Sequence, residues 1–411
     1  MPRTSNGCPS ELPLHAIFYQ DDFEVVNPLG AAKSKHKLLA VYMSLGNLPP
    51  HLRSHINNIQ LVALCRKKYF DQKKVFGMIV KDLKRIEQEG VAVSPDRCVK
   101  ASVVFIAGDN LGSHSLGGFV ENFSKSTYFC RYCLVTRKDL NLAASEFEHT
   151  NEDEEEGEND VDSDVSFDMQ EDSCDSCSDG PDESDTGDDD ESEDEVDEVE
   201  NIPIESLFHY VPASFPKRTI DSFNRSLFRK AASKKSYEGV TFNSLFNRLS
   251  CFHVCSPGLA PCLKHDLCEG VVAYDLAMFT NYFIDVRKWF KLECRNARIE
   301  SFSYYSNDGR DKPVPLKKDC SKLVGGAWQI WTFLRLYPLI IGDKIRNTCD
   351  PVWLAVLKLI EIMEIITAPS IHKSWLGYLQ CLINEYLDLR VSCFPFCKLR
   401  PKHHYSLIIV D

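Results

Sequence analysis

A chain of 411 residues with 44% hydrophobic and 26% charged side chains has the composition of a globular protein with material for two or three domains, which excludes a collagen-like or wholly disordered polypeptide. The formal charge of −13 misleads, because residues 151–200 hold 27 Asp and Glu and no Lys or Arg; the rest of the chain carries 47 basic against 33 acidic side chains, a surplus compatible with a polyanionic partner. The first residues contain no apolar signal region and no later segment is long and uncharged enough to span a bilayer, so the sequence reads as soluble and intracellular, with most of its 17 cysteines as buried thiols.

In chain order, residues 14–20 (LHAIFYQ) read as a strand that delivers Asp21 and Asp22, followed by turn chemistry at Asn27-Pro28-Leu29-Gly30. Residues 37–45 and 59–65 read as two further strands, separated by the breaker Asn47-Leu48-Pro49-Pro50-His51. Residues 73–89 place Val75, Met78, Ile79, Leu83 and Ile86 at helical spacing, and the apolar run 103–107 then reads as a strand ending at Gly108-Asp109-Asn110. Three strands, a helix and a strand give an α/β order. Residues 146–200 are acidic, Ser-rich and nearly free of aromatics, so they cannot bury enough apolar surface to offset their ordering entropy and are expected to be disordered. Such a tract acts as a flexible spacer or as an anionic decoy over a basic groove, and its Cys174-x-x-Cys177 has no neighbouring ligands to complete a site. Beyond about residue 202 the pattern is mainly helical: residues 265–290, 327–341, 352–367 and 373–391 repeat apolar side chains at three and four spacing, with Pro315, Pro338, Pro351 and Pro369 near their ends. Three regions are therefore expected, an α/β portion at 1–145, the acidic tract at 146–201 and a mainly helical region at 202–411.

Three clusters carry chemistry. If the strands ending in Asp21-Asp22 and Asp109 are neighbours in one sheet, their ends bring carboxylates together in a way that suits Mg²⁺ and two-metal phosphoryl transfer; the simpler alternative is that these aspartates are strand-end turn residues. Cys130-x-x-Cys133 has a counterpart in Cys262-x-x-His265, and the four together would fill a tetrahedral zinc shell across the tract, with Cys251, His253, Cys255 and Cys268 as substitutes and plain buried thiols as the alternative. In His265-Asp266-Leu267-Cys268-Glu269-Gly270, Asp266 or Glu269 either points at the sheet carboxylates or merely complements a helix N-terminus.

Five segments in series, Tyr19-Gln-Asp-Asp-Phe-Glu-Val-Val-Asn-Pro-Leu-Gly30, Gly108-Asp-Asn-Leu-Gly112, Cys130-Arg-Tyr-Cys-Leu134, His265-Asp-Leu-Cys-Glu-Gly-Val271 and Pro401-Lys-His-His-Tyr405, resemble the transposase-like open reading frames of animal genomes related to CACTA (En/Spm) DNA transposons. The resemblance covers nearly the whole chain apart from the acidic tract. It implies an RNase H-like mixed-sheet core with an acidic triad and Mg²⁺, interrupted by a zinc-binding element and a helical insertion, that cuts and rejoins transposon DNA in the nucleus. By position, Asp21 resembles the first acid, with Asp22 where plant relatives have glycine, and Asp109 the second. The third is expected as a glutamate in a helix beyond Pro401-Lys-His-His, close to where the sequence ends; Asp266 and Glu269 are the candidates within the chain, and the expectation is of a fragment or a domesticated copy. The competing readings are a non-catalytic, zinc-stabilised DNA- or chromatin-binding module and a protein-interaction scaffold whose acidic tract engages histones or other basic partners.

Overall fold

Ala16, Phe18 and Gln20 are buried along strand β1 (Leu14–Glu24), while Tyr19 and Phe23 on the opposite face are exposed, the two-residue alternation of a sheet covered on one side. In the computed structural model, which describes residues 13–24, 37–95, 97–123, 125–140, 215–233, 235–318 and 320–409, β1 pairs antiparallel with β2 (Lys37–Leu45), and β2 pairs antiparallel with β3 (Gln60–Arg66). A short helix α1 (Pro50–Arg53) lies in the β2–β3 connection. Helix α2 (Gln72–Glu89) starts at Asp71, whose carboxylate accepts the Lys74 N–H, and buries Phe76, Val80 and Leu83. The chain then makes a hairpin of β4 (Val91–Ser94) and β5 (Arg97–Val99) that the sequence did not announce, before β6 (Ala101–Gly108). Strand β6 runs parallel to β1, so the mixed sheet has the order β3-β2-β1-β6. Phe76, Val80 and Leu83 pack with Phe18, Leu39, Val41, Val103 and Ile106 in one core, each fully buried apolar side chain contributing about 1.5–3 kcal/mol.

The expected strand at 14–20 is four residues longer, because β2 continues to pair with it: Asp21 is opposite Ala40 and Asp22 opposite Leu39. Both aspartates are therefore strand residues rather than turn residues. The turn expected at 27–30 and the tract at 146–200, with Cys174 and Cys177, lie outside the described residues.

Beyond the sheet come α3 (Asn110–Gly117), α4 (Ile220–Ser233), a continuous helical rod and the helices packed around it. The rod opens as a π-helix (Lys264–Val272), continues as α5 (Ala273–Asn281) and closes with a π-turn (Tyr282–Val286). Around it stand α6 (Leu292–Ser301), α7 (Ala327–Ile341), α8 (Pro351–Thr367), α9 (Trp375–Cys393) and α10 (Pro401–Ile408). Pro351 takes the first position of α8, where no N–H is needed, and Asp350 caps it by accepting from Val352 and Trp353. Pro338, in contrast, lies inside α7 rather than at its boundary. Leu276, Phe279, Phe283, Tyr337, Trp353, Val356 and Ile383 form the centre of this second core. No helix among the described residues is long and apolar enough to cross a membrane.

The described residues on both sides of 141–214 belong to one compact unit. Phe129, Cys130, Cys133, Val135 and Leu140 sit in the helical core, whereas Phe223, Val240, Phe246 and Leu259 sit in the core under the sheet. Backbone bonds stitch the two stretches together: Arg218 N–H to Tyr132 O at 2.7 Å, Leu134 N–H to Pro216 O at 3.1 Å and Ala260 N–H to Ile106 O at 3.0 Å.

Candidate functional site

The register of β1 and β6 sets the carboxylate edge. Gln20 pairs with Gly108 in parallel, so the next residues, Asp21 and Asp109, stand level where β6 ends, while β1 runs on to Glu24 beside β2. Asp21 shares a face of β1 with Tyr19, whose hydroxyl donates to Asp21 Oδ2 at 3.2 Å, while the Asp22 N–H donates to Asp21 Oδ1 at 2.8 Å. Burial, then the charge and hydrogen bond of Asp21, and then the charges of Cys262 and Asp109, hold the Tyr19 phenol above its ordinary range, so all four side chains share one electrostatic neighbourhood. Asp109 caps α3: its Oδ1 accepts the Gly112 N–H at 2.6 Å, and a Cβ on Gly112 would come within 2.9 Å of that oxygen, which explains the glycine in Gly108-Asp-Asn-Leu-Gly112. Asp22 is directed otherwise, pairing with Lys67 at 2.7 Å.

Asp21 and Asp109 offer oxygen lone pairs beyond the hydrogen bonds they accept; Gln20, on the other face of β1 from Asp21, has a buried amide oxygen with no hydrogen-bond partner among the described residues.

A different group is built for a soft metal. Among the described residues, the one set of three or more potential ligands gathered within 4.8 Å is Cys130, Cys133 and His404, all buried. Cys133 Sγ lies 3.1 Å from His404 Nε2, and Cys130 Sγ accepts the Tyr132 N–H at 3.3 Å. Burial pushes the Cys130 thiol up, but hydrogen bonds from Cys133 and His404 outweigh it and hold the group well below the ordinary thiol range; Cys133 is pushed up by its bond to Cys130 and then by burial. Two sulfurs and an imidazole nitrogen at this separation suit zinc, whose ligand bonds of about 2.0–2.3 Å require donor atoms nearly in contact.

The expected second half of that shell is a correction. Cys262 and His265 adjoin each other, with Sγ to Nδ1 at 3.0 Å, but they do not join Cys130 and Cys133. They lie toward the carboxylate edge: burial, then the charge of Asp266 and, least, that of Asp109 raise the Cys262 thiol. His265 Nε2 is in turn 3.7 Å from Glu269, which also meets Lys264 at 3.6 Å. The ligand the CxxC finds instead comes from Pro401-Lys402-His403-His404, near the far end of the sequence. Spacing offers no route to it; only the pair of adjacent histidines marks the segment.

Asp266 does not point at the sheet carboxylates as a free acid. It is fully buried, accepts from the Asn110 side-chain amide and from the Cys262 N–H at 3.2 Å, and burial raises its carboxyl above the ordinary range against the pull of Arg131. Arg131, also fully buried, donates to Asn110 Oδ1 at 2.7 Å and lies over the rings of Tyr132 at 4.5 Å and Tyr405 at 5.3 Å. Asn110, Arg131, Asp266 and Tyr405 come from four of the sequence motifs, and this network joins the carboxylate edge to the cysteine–histidine group. His403 faces the other way, its Nε2 2.9 Å from Asp275, a buried carboxylate that also receives Tyr386 and Arg390.

In comparisons with known proteins, no family model matches the chain and no curated protein sequence matches it significantly.

Proposed function

We propose that this chain is a transposase-derived DNA-processing protein, related to CACTA (En/Spm) transposons, whose RNase H-like core cleaves and transfers phosphodiesters at the Asp21–Asp109 edge in the nucleus. The observation that carries the reading is the parallel register of β1 and β6, which sets Asp21 in β1 level with Asp109 at the end of the neighbouring strand of a mixed sheet. In this reading Asp21 and Asp109 hold Mg²⁺, which when bound supplies Lewis acidity and a more acidic nucleophilic water or 3′-hydroxyl. Tyr19 orients Asp21 by its hydrogen bond, and the Gly112 N–H fixes the rotamer of Asp109. Glu269, half-buried and linked through His265 and Cys262 to the surroundings of Asp109, is the acid in this chain that suits the third position; Asp266 serves the buried network instead. Zinc on Cys130, Cys133 and His404 is structural, fixing α10 against the segment that carries the CxxC.

One observation favours a non-catalytic DNA- or chromatin-binding module: among the described residues no third acid gathers with Asp21 and Asp109 into a three-ligand group. Nicking of plasmid DNA by the full-length, zinc-loaded protein in Mg²⁺ separates the two readings. Losing one metal-holding carboxylate removes about 3 kcal/mol or more of transition-state stabilisation, so Asp21→Asn and Asp109→Asn each slow nicking by about a hundredfold or more, while Asp22→Asn stays within a few-fold of wild type. Equal nicking by wild type and Asp109→Asn, or none by wild type, removes the catalytic reading.

A further inference from the structure

A cleft of about 670 Å³ opens between α5 and the segment that leads into α10, lined by Tyr274 and Met278 on one side and by Lys398, Arg400 and Lys402 on the other. Its charge is one-sided. The single carboxylate in its wall, Asp275, is buried and already engaged by the Arg390 guanidinium at 3.3 Å and by the His403 imidazole at 2.9 Å, so it offers little to the cations at the mouth. The Arg400 guanidinium lies 3.7 Å from the centre of the Tyr274 ring, and the Lys322 ammonium 5.1 Å from the same ring. Burial, together with the like charges of Lys322 and Arg400, pulls the Lys402 ammonium below its ordinary range, although Asp266 and Glu269 act in the other direction.

Elsewhere on the surface cations meet carboxylates, as in Arg298–Asp343, Arg335–Asp308 and Lys358–Glu385. Among the described residues, Lys322, Lys398, Arg400 and Lys402 form no such ion pair; their like charges are eased by the Tyr274 ring and, at Lys402, by the more distant carboxylates of Asp266 and Glu269. A polyanion with closely spaced charges eases them better, and the ring and the Met278 side chain give such a ligand an apolar floor. The cleft is also connected to the carboxylate edge. Lys402 packs against Gly270, where a Cβ would come 2.6 Å from the lysine Cδ, and Gly270 adjoins Glu269 on the π-helix that carries His265.

We propose that this cleft binds the phosphodiester backbone of a DNA strand, through Lys322, Lys398, Arg400 and Lys402, at a second point of contact beyond the Asp21–Asp109 edge. The assignment rests on the DNA-processing reading and extends it to a site on the helical half.

The test is equilibrium binding of a fluorescent duplex to the full-length, zinc-loaded protein without added Mg²⁺, across about 50–200 mM salt. Lys398→Gln/Arg400→Gln changes two exposed side chains of the cleft; Lys81→Gln/Lys84→Gln removes the same charge from the exposed face of α2. Both double variants should keep the wild-type melting temperature and zinc content. The cleft variant is expected to bind about tenfold more weakly at moderate salt, with a log–log salt slope shallower by about 2, while the α2 variant stays within about twofold of wild type. Equal losses in the two variants, no loss in the cleft variant, or no binding by wild type would overturn the assignment. Displacement of the duplex by pyrophosphate at the same phosphate concentration would overturn it too, since the cleft would then serve a small anion. Because this readout needs neither Mg²⁺ nor turnover, loss of binding in the cleft variant and loss of Mg²⁺-dependent nicking in Asp21→Asn or Asp109→Asn are separate outcomes, so failure here and failure of the cleavage reading are told apart.

Discussion

His403 and His404 are neighbours with opposite duties, which makes the pair the sharpest test at the scale of single residues. His404 belongs to the cysteine–histidine group and His403 to the buried Asp275 network. Full-length protein purified with zinc is expected to hold about one equivalent, and His404→Ala to lose it, measured by atomic emission. His403→Ala should keep the zinc yet lose about 2 kcal/mol or more in urea melts, because Asp275 is left buried with one partner fewer. His114 supplies a pH dependence. It is fully buried, its Nδ1 donates to the Val120 carbonyl at 2.7 Å, and burial, with Arg131 and Arg218 nearby, pushes its imidazole down to about 3. The unfolded chain takes up this proton near pH 6.5 and the folded chain only near 3, so the stability His114 contributes is present at neutral pH and falls as the pH drops through that window, by about 1.4 kcal/mol per unit. Wild type should therefore lose about 2 kcal/mol more than His114→Gln between about pH 7 and pH 5 in paired urea melts. Equal losses would show that His114 titrates normally in the folded protein.

At the scale of elements, what is local was legible and what is long-range was not. The strand at 37–45 and the helix at 327–341 have the bounds their periodicity predicts, and α2 differs by a single residue, because an amphipathic pattern with a cap at Asp71 determines such a segment without outside help. The β4–β5 hairpin was not legible: its strands are four and three residues long and β4 is exposed throughout, so no alternation marks it. The extension of β1 through Asp21 and Asp22 was missed because pairing to β2, not side-chain hydrophobicity, keeps those residues in the strand. The π-helix Lys264–Val272 is tied to its surroundings by Asp266, so breaking the Asn110–Arg131–Asp266 network should loosen the rod as a unit. Asp266→Ala leaves the buried Asn110 amide without its acceptor and is expected to cost about 1–3 kcal/mol and to raise amide exchange across 264–272 and α10. Exchange confined to the substituted residue would show that the network does not couple these elements.

At the scale of the molecule, residues far apart in sequence alternate between two cores, and that interleaving explains which site residues could be read in advance. Asp21 and Asp109 were readable because each follows an apolar run, and parallel pairing of β1 and β6 needed only the assumption that the strands are neighbours. The zinc ligands were half readable: a CxxC announces itself, but its partner His404 lies 271 residues from Cys133, and the nearer Cys262-x-x-His265 drew the expectation away from it. Arg131 and Asn110 carry no spacing signal, since a buried polar network is defined only once four segments meet. The claim on which the functional reading turns is that Asp21 and Asp109 together form a divalent-cation site distinct from the cysteine–histidine group. Titration of Mn²⁺ into the zinc-loaded full-length protein, followed by loss of the free-ion paramagnetic signal, tests it directly. Wild type and Asp22→Asn should bind Mn²⁺ with zinc retained, while Asp21→Asn and Asp109→Asn should bind it at least about tenfold more weakly; indistinguishable Mn²⁺ binding by wild type and Asp109→Asn would contradict the claim.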